Sequence, residues 1–497
     1  MSRINTNVPS QIARRNLNEN NKTLNTTLER LSTGLRINRG KDDPAGLIAS
    51  ENLRAEKSAL SAAISNAERA DQLVNIAEGG LQELSSLLTE LRGLVTSTAN
   101  SAGLSGEEKQ ANQLQIDSII QTIDRLSEAT NFQGVKLLNG NLDFTATGVD
   151  PTVSDFKINS AKISAGGLAI TTSQTASAQR GSLLVDLNSA TIQTTGGALF
   201  TVEITGATGS REFAFGNGTT TAQAITAINQ FKDVTGISAA LNASGLTLNS
   251  TEFGSEQFVQ ARVVNLAGVV GALTQGTATD ADDYTGTSTA LAVSALVRDT
   301  GQDINGSING IIATGKGRSL RVANDFLDTE ITLTAAQATA APGAVNAFTI
   351  TGGGANFQLA SNVDLNGRVS IGIQNVSSRK LGNSALGFLS DLTSGKDKNV
   401  VGGDILRAAK VVEESIRQVS GLRGRLGAFQ KNVIGATIRN LGISLENSSA
   451  AESVIRDADF AAETATLTRG QILSQAAGNS LGLANQQPQA ALQLLRS

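Results

Sequence analysis

Leu53, Leu60, Ala67, Val74, Leu81, Leu88 and Val95 stand seven residues apart through six successive intervals. Such a repeat keeps one apolar seam turned toward partner helices and has no use in a strand. Ala63, Ala70, Ala77, Leu84 and Leu91 fill a second seam position. Asp43 fits an N-cap, and Pro44 fits the first helical position, where a missing N–H costs nothing. A helix from Pro44 to about Asn100 would be about 85 Å long at 1.5 Å per residue. A globule needs no such rod, whereas a bundle does. The alanines of its first half allow close helix approach; the leucines of its second half suit a wider core.

The other end of the chain repeats the pattern with Ile405, Val412, Val419, Leu426 and Val433, and with Ile416, Leu422, Phe429 and Ala436 near the companion positions. Two heptad regions at opposite ends, neither self-sufficient, predict a bundle made by both termini. Gly421, Gly424 and Gly427 recur inside this second run. Each weakens a helix by about 1 kcal/mol against Ala, which predicts close approach by another helix, with a neighbouring copy as one source and a break between two helices as the alternative. A third helix is predicted from Glu107 to Glu128 with Leu114, Ile116, Ile120, Ile123 and Leu126 inward.

The extreme ends are thinner. Leu17, Leu24, Leu28, Leu31 and Leu35 form a seam among Asn16, Asn18, Asn20, Asn21 and Asn25, and asparagine lowers helix propensity. Residues 461–497 carry a similarly thin seam that includes Leu481, Leu492 and Leu495. Helices of this kind are marginal alone, so these eight leucines are the candidate subunit-assembly residues. The candidate bundle core is Leu53, Leu60, Val74, Leu81, Leu88, Ile405, Val412, Val419, Leu426 and Val433.

Between about Asn141 and Asn383 the chain turns rich in Thr, Ser, Ala, Gly and Asn and holds eleven of the fifteen Phe. Phe200–Ile204 and Val369–Ile373 alternate with period two, as half-buried strands do. Ala222, Ile225, Ile228 and Phe231 have helical spacing, followed by a strand through Ile237 and Leu241. The fold class that results is multidomain α + β. A long α-helical coiled-coil bundle formed by both chain ends carries β-rich, α+β outer domains inserted between them.

Composition narrows the chemistry. The chain has no Cys, His or Trp, so thiolate metal sites, Ser-His-Asp triads and HExxH zinc sites are excluded. Gly310 to Lys316 matches GxxxxGK, but Gly317 stands where a Ser or Thr would hold Mg²⁺; the reading is a Gly-rich turn beside strand Leu320–Val322. Asp280, Asp282 and Asp283 lack the spaced Gly and Glu of a calcium loop. A net charge of −4 gives no field for nucleic acid. The eight basic and two acidic side chains of the first 41 residues carry no interleaved aromatics, which predicts a solvated or ion-paired face. No apolar run reaches about 18 residues, and the start lacks an apolar signal core, so neither membrane insertion nor a cleaved signal is expected. No cofactor, metal ligand or catalytic residue is assigned, and the expectation is a non-enzyme.

The residues themselves resemble the bacterial flagellins. The resemblance rests on Ile4-Asn5-Thr6-Asn7, Leu31-Ser32-Thr33-Gly34-Leu35-Arg36-Ile37-Asn38 and Asp42-Asp43-Pro44-Ala45-Gly46. It continues through Asn131-Phe132-Gln133-Gly134-Val135-Lys136-Leu137-Leu138, Arg456-Asp457-Ala458-Asp459 and Asn485-Gln486-Gln487-Pro488-Gln489-Ala490. The middle is similar to the family's "IN" repeat twice, at Ala227-Ile228-Asn229 and Ser307-Ile308-Asn309-Gly310.

The resemblance implies a structural subunit of the bacterial flagellar filament, self-assembling into a helical tube that drives swimming; the alternative is the hook–filament junction protein, which shares the terminal helices. It implies inner terminal helices at 1–43 and 455–497 lining the filament channel. A heptad bundle with a β-hairpin is expected at 44–175 and 385–454, and a surface-exposed insertion at 176–384. Implied partners are other copies of the chain, the flagellar type III export apparatus, an export chaperone at the C-terminal end, and the junction and cap proteins. The implied location is extracellular. Some flagellins carry proteolytic insertions, and zinc-dependent ones need the His that is absent here. Leu88, Arg92 and Leu94 are similar to the pattern by which an innate immune receptor recognises some flagellins, whereas Glu90 replaces a basic residue and Gly93 and Gln115 replace acidic ones.

Overall fold

The structure, a computed structural model, describes residues 6–100, 103–163, 166–187, 191–242, 245–276, 287–384 and 386–496, with side chains up to residue 487. Its helices are α1 (Val8–Thr33), α2 (Pro44–Thr98), α3 (Gly106–Ala129), α4 (Thr221–Asn229), α5 (Lys232–Thr235), α6 (Ala335–Thr339), α7 (Ile405–Ala428), α8 (Gly435–Arg456) and α9 (Phe460–Arg496). Helical ends thus flank a β-rich middle. The chain divides into two compact units, one of Met1–Val74, Phe357–Arg368 and Leu426–Ser497, the other of Asn75–Asn356 and Val369–Arg425.

The α2 seam is buried at Leu60, Ala67, Val74, Leu81, Leu88 and Val95, with Ala63, Ala70, Ala77, Leu84 and Leu91 beside them. Leu53 is only half-buried. Its start is as the residue types predict: Asp43 Oδ1 accepts the Gly46 N–H at 2.9 Å, and Pro44 opens the helix. A Cβ on Gly46 would lie 2.7 Å from Ile37 Cδ1, so Gly46 is where the fully buried Ile37 passes the helix.

Two expectations for the helices change. In α3, which begins on a Ser105–Glu108 capping box, Leu114 is 69% exposed and Gln113 is buried in its place. The Gln113 amide donates to Leu392 O and accepts the Val400 N–H, so a buried polar group is satisfied where a leucine would leave two backbone groups without partners. In the C-terminal heptad, Val412, Val419 and Leu426 are buried as expected, but Ile405 and Val433 are half-buried and Ile434 is fully buried. A π-helical segment at Phe429–Ile434 adds one residue to the turn and moves the seam one position on. From Ile434 the count of seven then leads to buried Leu441, which packs with Leu60 and Ala63.

The second unit holds three large sheets. Eight strands run in the order 144–147, 344–353, 168–176, 305–308, 311–316, 319–323, 327–333 and 153–161. Gly372 N–H donates to Asn159 O and Ile373 N–H to Leu142 O, linking the 369–376 segment to residues at both edges of this sheet. The predicted strand Val369–Ile373 is therefore shorter, at Arg368–Ile371. The expected boundary at 175/176 falls on the end of strand Leu168–Ala176, which pairs with 305–308 and 344–353. Strands 144–147, 153–161 and 168–176 are all part of the eight-stranded sheet.

The other two sheets, of five strands (237–242, 245–250, 182–186, 272–275, 288–290) and four (296–300, 258–265, 200–206, 210–215), share one apolar core with α4. Strand Phe200–Gly206 buries every second residue. The two Ile-Asn pairs do equivalent work. Ile228 and Ile308 are buried. Asn229 donates to Ala239 O at 2.9 Å and accepts its N–H at 2.8 Å; Asn309 donates to Ala169 O and accepts the Thr171 N–H at the same distances.

Gly310 and Gly317 turn a meander rather than cradle a phosphate. Asn309 and Gly310 have φ of 50° and 79° between strands 305–308 and 311–316, Gly317 has φ 58°, and the element next after Lys316 is strand 319–323, not a helix. The Gly317 N–H is already given to Asp303 Oδ1 at 2.6 Å. Asp280, Asp282 and Asp283 lie outside the described residues.

Candidate assembly surface: the terminal helix pair

The two extreme ends of the chain lie along each other. α1 begins on Asn7, whose side chain accepts the Ser10 N–H, and ends on Gly34 in the left-handed region. Asp459 caps α9 by accepting the N–H groups of Ala461 and Ala462.

Polar side chains tie the pair together along its length. Asn7 Nδ2 donates to Ala484 O at 2.8 Å, Ser10 Oγ to Asn485 Oδ1 at 2.7 Å, Asn20 Nδ2 to Leu473 O at 3.2 Å, and Ser474 Oγ to Asn21 Oδ1 at 2.8 Å. Two of the asparagines that lower helix propensity, Asn20 and Asn21, are thus a cross-helix donor and a cross-helix acceptor. Their order, ascending in α1 and descending in α9, makes the pair antiparallel. By propensity alone these residues read as a weakness; their concentration on a thin-seamed helix was the available signal of a polar interface.

Arg30 Nη1 meets Glu463 Oε1 at 3.0 Å near the pair's other end. There the two chain ends form one antiparallel bridge. Leu35 pairs with Asp457, the Arg36 N–H donates to Arg456 O at 2.7 Å, and the Ala458 N–H donates to Gly34 O at 2.9 Å. The Arg36 guanidinium also donates to Ile455 O. Arg456 in turn bonds Glu51, and Lys57 bonds Glu452. Two of the sequence motifs, 31–38 and 456–459, are therefore the two halves of a single contact.

The apolar seam between α1 and α9 is slender. Ala13, Thr27 and Ala484 are buried, and a Cβ on Gly470 would stand 3.4 Å from Leu24 Cδ1. Leu17, Leu24, Leu31, Leu35 and Leu481 are half-buried, Leu28 is exposed, and the side chains of Leu492 and Leu495 lie outside the described residues. Val8, Ile12, Ile472, Leu473 and Leu483 also stand exposed on the same two helices.

Among the other sequence candidates, Leu88 is fully buried in the α2 seam. Arg92 is exposed and Leu94 half-buried. Gly421, Gly424 and Gly427 lie within α7, and a Cβ at any of them would meet nothing within 4 Å, so the expected close approach is not made by the described residues of this chain. Among the described residues no group of three or more acidic side chains is arranged to hold a metal, and no helix is long and apolar enough to cross a membrane.

Comparison with known proteins converges on one family. Residues 4–143 match the bacterial flagellin N-terminal helical region, 409–495 the bacterial flagellin C-terminal helical region, and 200–252 the flagellin hook IN motif. The chain is similar to a B-type flagellin of Pseudomonas aeruginosa, 31% identical with 99% of each chain covered. It is likewise similar to flagellins of Salmonella typhimurium at 30% and Salmonella rubislaw at 29%, again over 99% of each chain. The chain belongs to the bacterial flagellin family.

Proposed function

We propose that this chain works as the structural subunit of a bacterial flagellar filament by polymerising through the α1–α9 pair. One observation carries the reading: Val8, Ile12, Leu28, Ile472, Leu473 and Leu483 are all exposed on two helices already joined to each other. A monomer gains nothing from apolar side chains left in water, whereas neighbouring copies bury them at about 25 cal/mol per Å². The ordering entropy of such thin-seamed helices is then offset in the polymer rather than in the free chain. A heterologous contact whose rotation does not close would propagate as a helix.

The finer reading assigns 1–43 and 455–497 to the inner, channel-lining layer and the heptad helices to a surrounding coiled-coil bundle. The β-rich middle faces outward. It places the filament outside the cell, after export by the type III apparatus with a chaperone at the C-terminal end, and between junction and cap proteins. Similarity over the whole length of flagellins favours the filament subunit over the junction protein. Electron microscopy of purified chain added to sonicated filament seeds tests the proposal: growth of tubular filaments supports it, and seeds that do not lengthen overturn it.

A further inference from the structure

Asn139, Asn217, Asn305, Asn309 and Asn366 are each followed by glycine. In such a pair the glycine nitrogen has no side chain beside it to block its approach to the asparagine Cγ. The fold holds four of the five. Asn139 Oδ1 accepts the Asn141 N–H and Asn217 Oδ1 the Thr194 N–H, each at 3.1 Å. The Asn309 amide is fixed at both of its ends, by Thr171 and Ala169. Asn305 lies in strand 305–308, which is paired on both sides, and a paired extended backbone does not bend to bring Cγ onto the next nitrogen.

Asn366 differs. It is exposed, and among the described residues its side chain has no hydrogen-bond partner. It stands in the turn of the Phe357–Arg368 segment, where the Leu359 N–H donates to Gly367 O at 3.0 Å and Gln358 Nε2 to Asn362 O at 2.6 Å. The nitrogen that would attack is restrained by one bond: the Gly367 N–H donates to Asp364 Oδ1 at 2.5 Å. Asp364 is itself exposed, so water competes for that bond.

We propose that Asn366 is a site of spontaneous covalent modification, deamidation through a succinimide, and that Asp364 sets its rate by holding the Gly367 N–H. Gly367 N bonds to Asn366 Cγ, the Cγ–Nδ2 bond breaks, and ammonia leaves with the proton of the attacking nitrogen. Water then opens the ring at either carbonyl, leaving Asp or an isoaspartyl linkage. The reaction needs no other reactant. The isoaspartyl product adds a carbon to the backbone beside Gly367, where a Cβ would already stand 2.7 Å from Ala360 Cβ and from Gln358 Nε2. The turn therefore has to open to accept it. The modification is separate from the α1–α9 pair and does not depend on it.

The test incubates the folded full-length chain in mildly alkaline buffer and follows all five asparagines by peptide mapping with mass spectrometry. Asp364→Ala removes the acceptor that holds the Gly367 N–H, and Asp364→Asn keeps an acceptor oxygen in its place. The expected result is conversion at Asn366 ahead of the other four in the parent, a several-fold faster conversion there in Asp364→Ala, and a near-parental rate in Asp364→Asn. In urea the five positions should convert at comparable rates, because the selectivity comes from the fold. First conversion at any of the other four, equal rates at Asn366 in the parent and Asp364→Ala, or the same selectivity in urea would each overturn the proposal.

Discussion

Leu426 and Ile434 lie eight residues apart and are both fully buried, where an unbroken heptad would have placed Val433 after Leu426. The π-helical segment between them supplies the extra residue. Truncation to Ala therefore discriminates the two positions. Ile434→Ala is expected to destabilise by about 2–5 kcal/mol, whereas Val433→Ala, at a half-buried site, costs about 1 kcal/mol or less. Urea unfolding followed by helical circular dichroism measures both; equal losses contradict the register shift.

The paired hydrogen bonds of Asn229 to both backbone groups of Ala239 require one donor and one acceptor on the same side chain. Asn229→Asp keeps the acceptor and places a carboxylate oxygen against the Ala239 carbonyl. An expected loss of about 2 kcal/mol, matched by Asn309→Asp, would show in thermal unfolding of the β-rich region. Tolerance of either substitution would reduce that Ile-Asn pair to a chance match.

Burial alone would raise the Asp303 carboxyl, but the Ser255 hydroxyl, the N–H groups of Gly317 and Ser255 and the nearby Lys316 hold it below its ordinary range. A depressed folded value means that the ionised form stabilises the fold above the unfolded value, near pH 3.9. That contribution is lost as pH falls through the folded value. Asp303→Asn should thus lower stability at pH 7 by about 1 kcal/mol after solvent screening, with the gap narrowing below pH 4. A gap that is constant from pH 7 to pH 3 is the contrary result.

Gly470 faces Leu24 across the terminal pair. Gly470→Ala places its methyl in near-ordinary contact and adds helix propensity of about 1 kcal/mol, so polymerisation should be retained or strengthened. Gly470→Ile overpacks the seam by about 1–3 kcal/mol and should raise the critical concentration measured by pelleting. Identical critical concentrations for the two variants would mean that this contact is not used in the polymer.

How far the sequence could be read follows from which interactions leave a period. Leu60, Val74, Leu81 and Leu88 were legible because a seven-residue repeat depends on the helix alone. Asp43 and Pro44 were legible as a helix start because capping is local. Gln113 displacing Leu114 was not legible, since its partners Leu392 and Val400 are remote in sequence. The π segment was hidden for a related reason: Val433 and Ile434 are both apolar, and only the backbone decides which one faces in. On the terminal helices the leucine seams marked helices that need a partner but not the chemistry of the contact, because Asn7, Asn20 and Asn21 act on residues at the other end of the chain.

On the proposed function, the α1–α9 pair polymerises the chain while the rest folds without it. Electron microscopy, with parallel circular dichroism, of chains lacking residues 1–40 or residues 460–497 measures this. Each truncated chain is expected to stay folded and soluble and to form no filaments under conditions in which the full chain grows from seeds. Filaments grown from either truncated chain would contradict it.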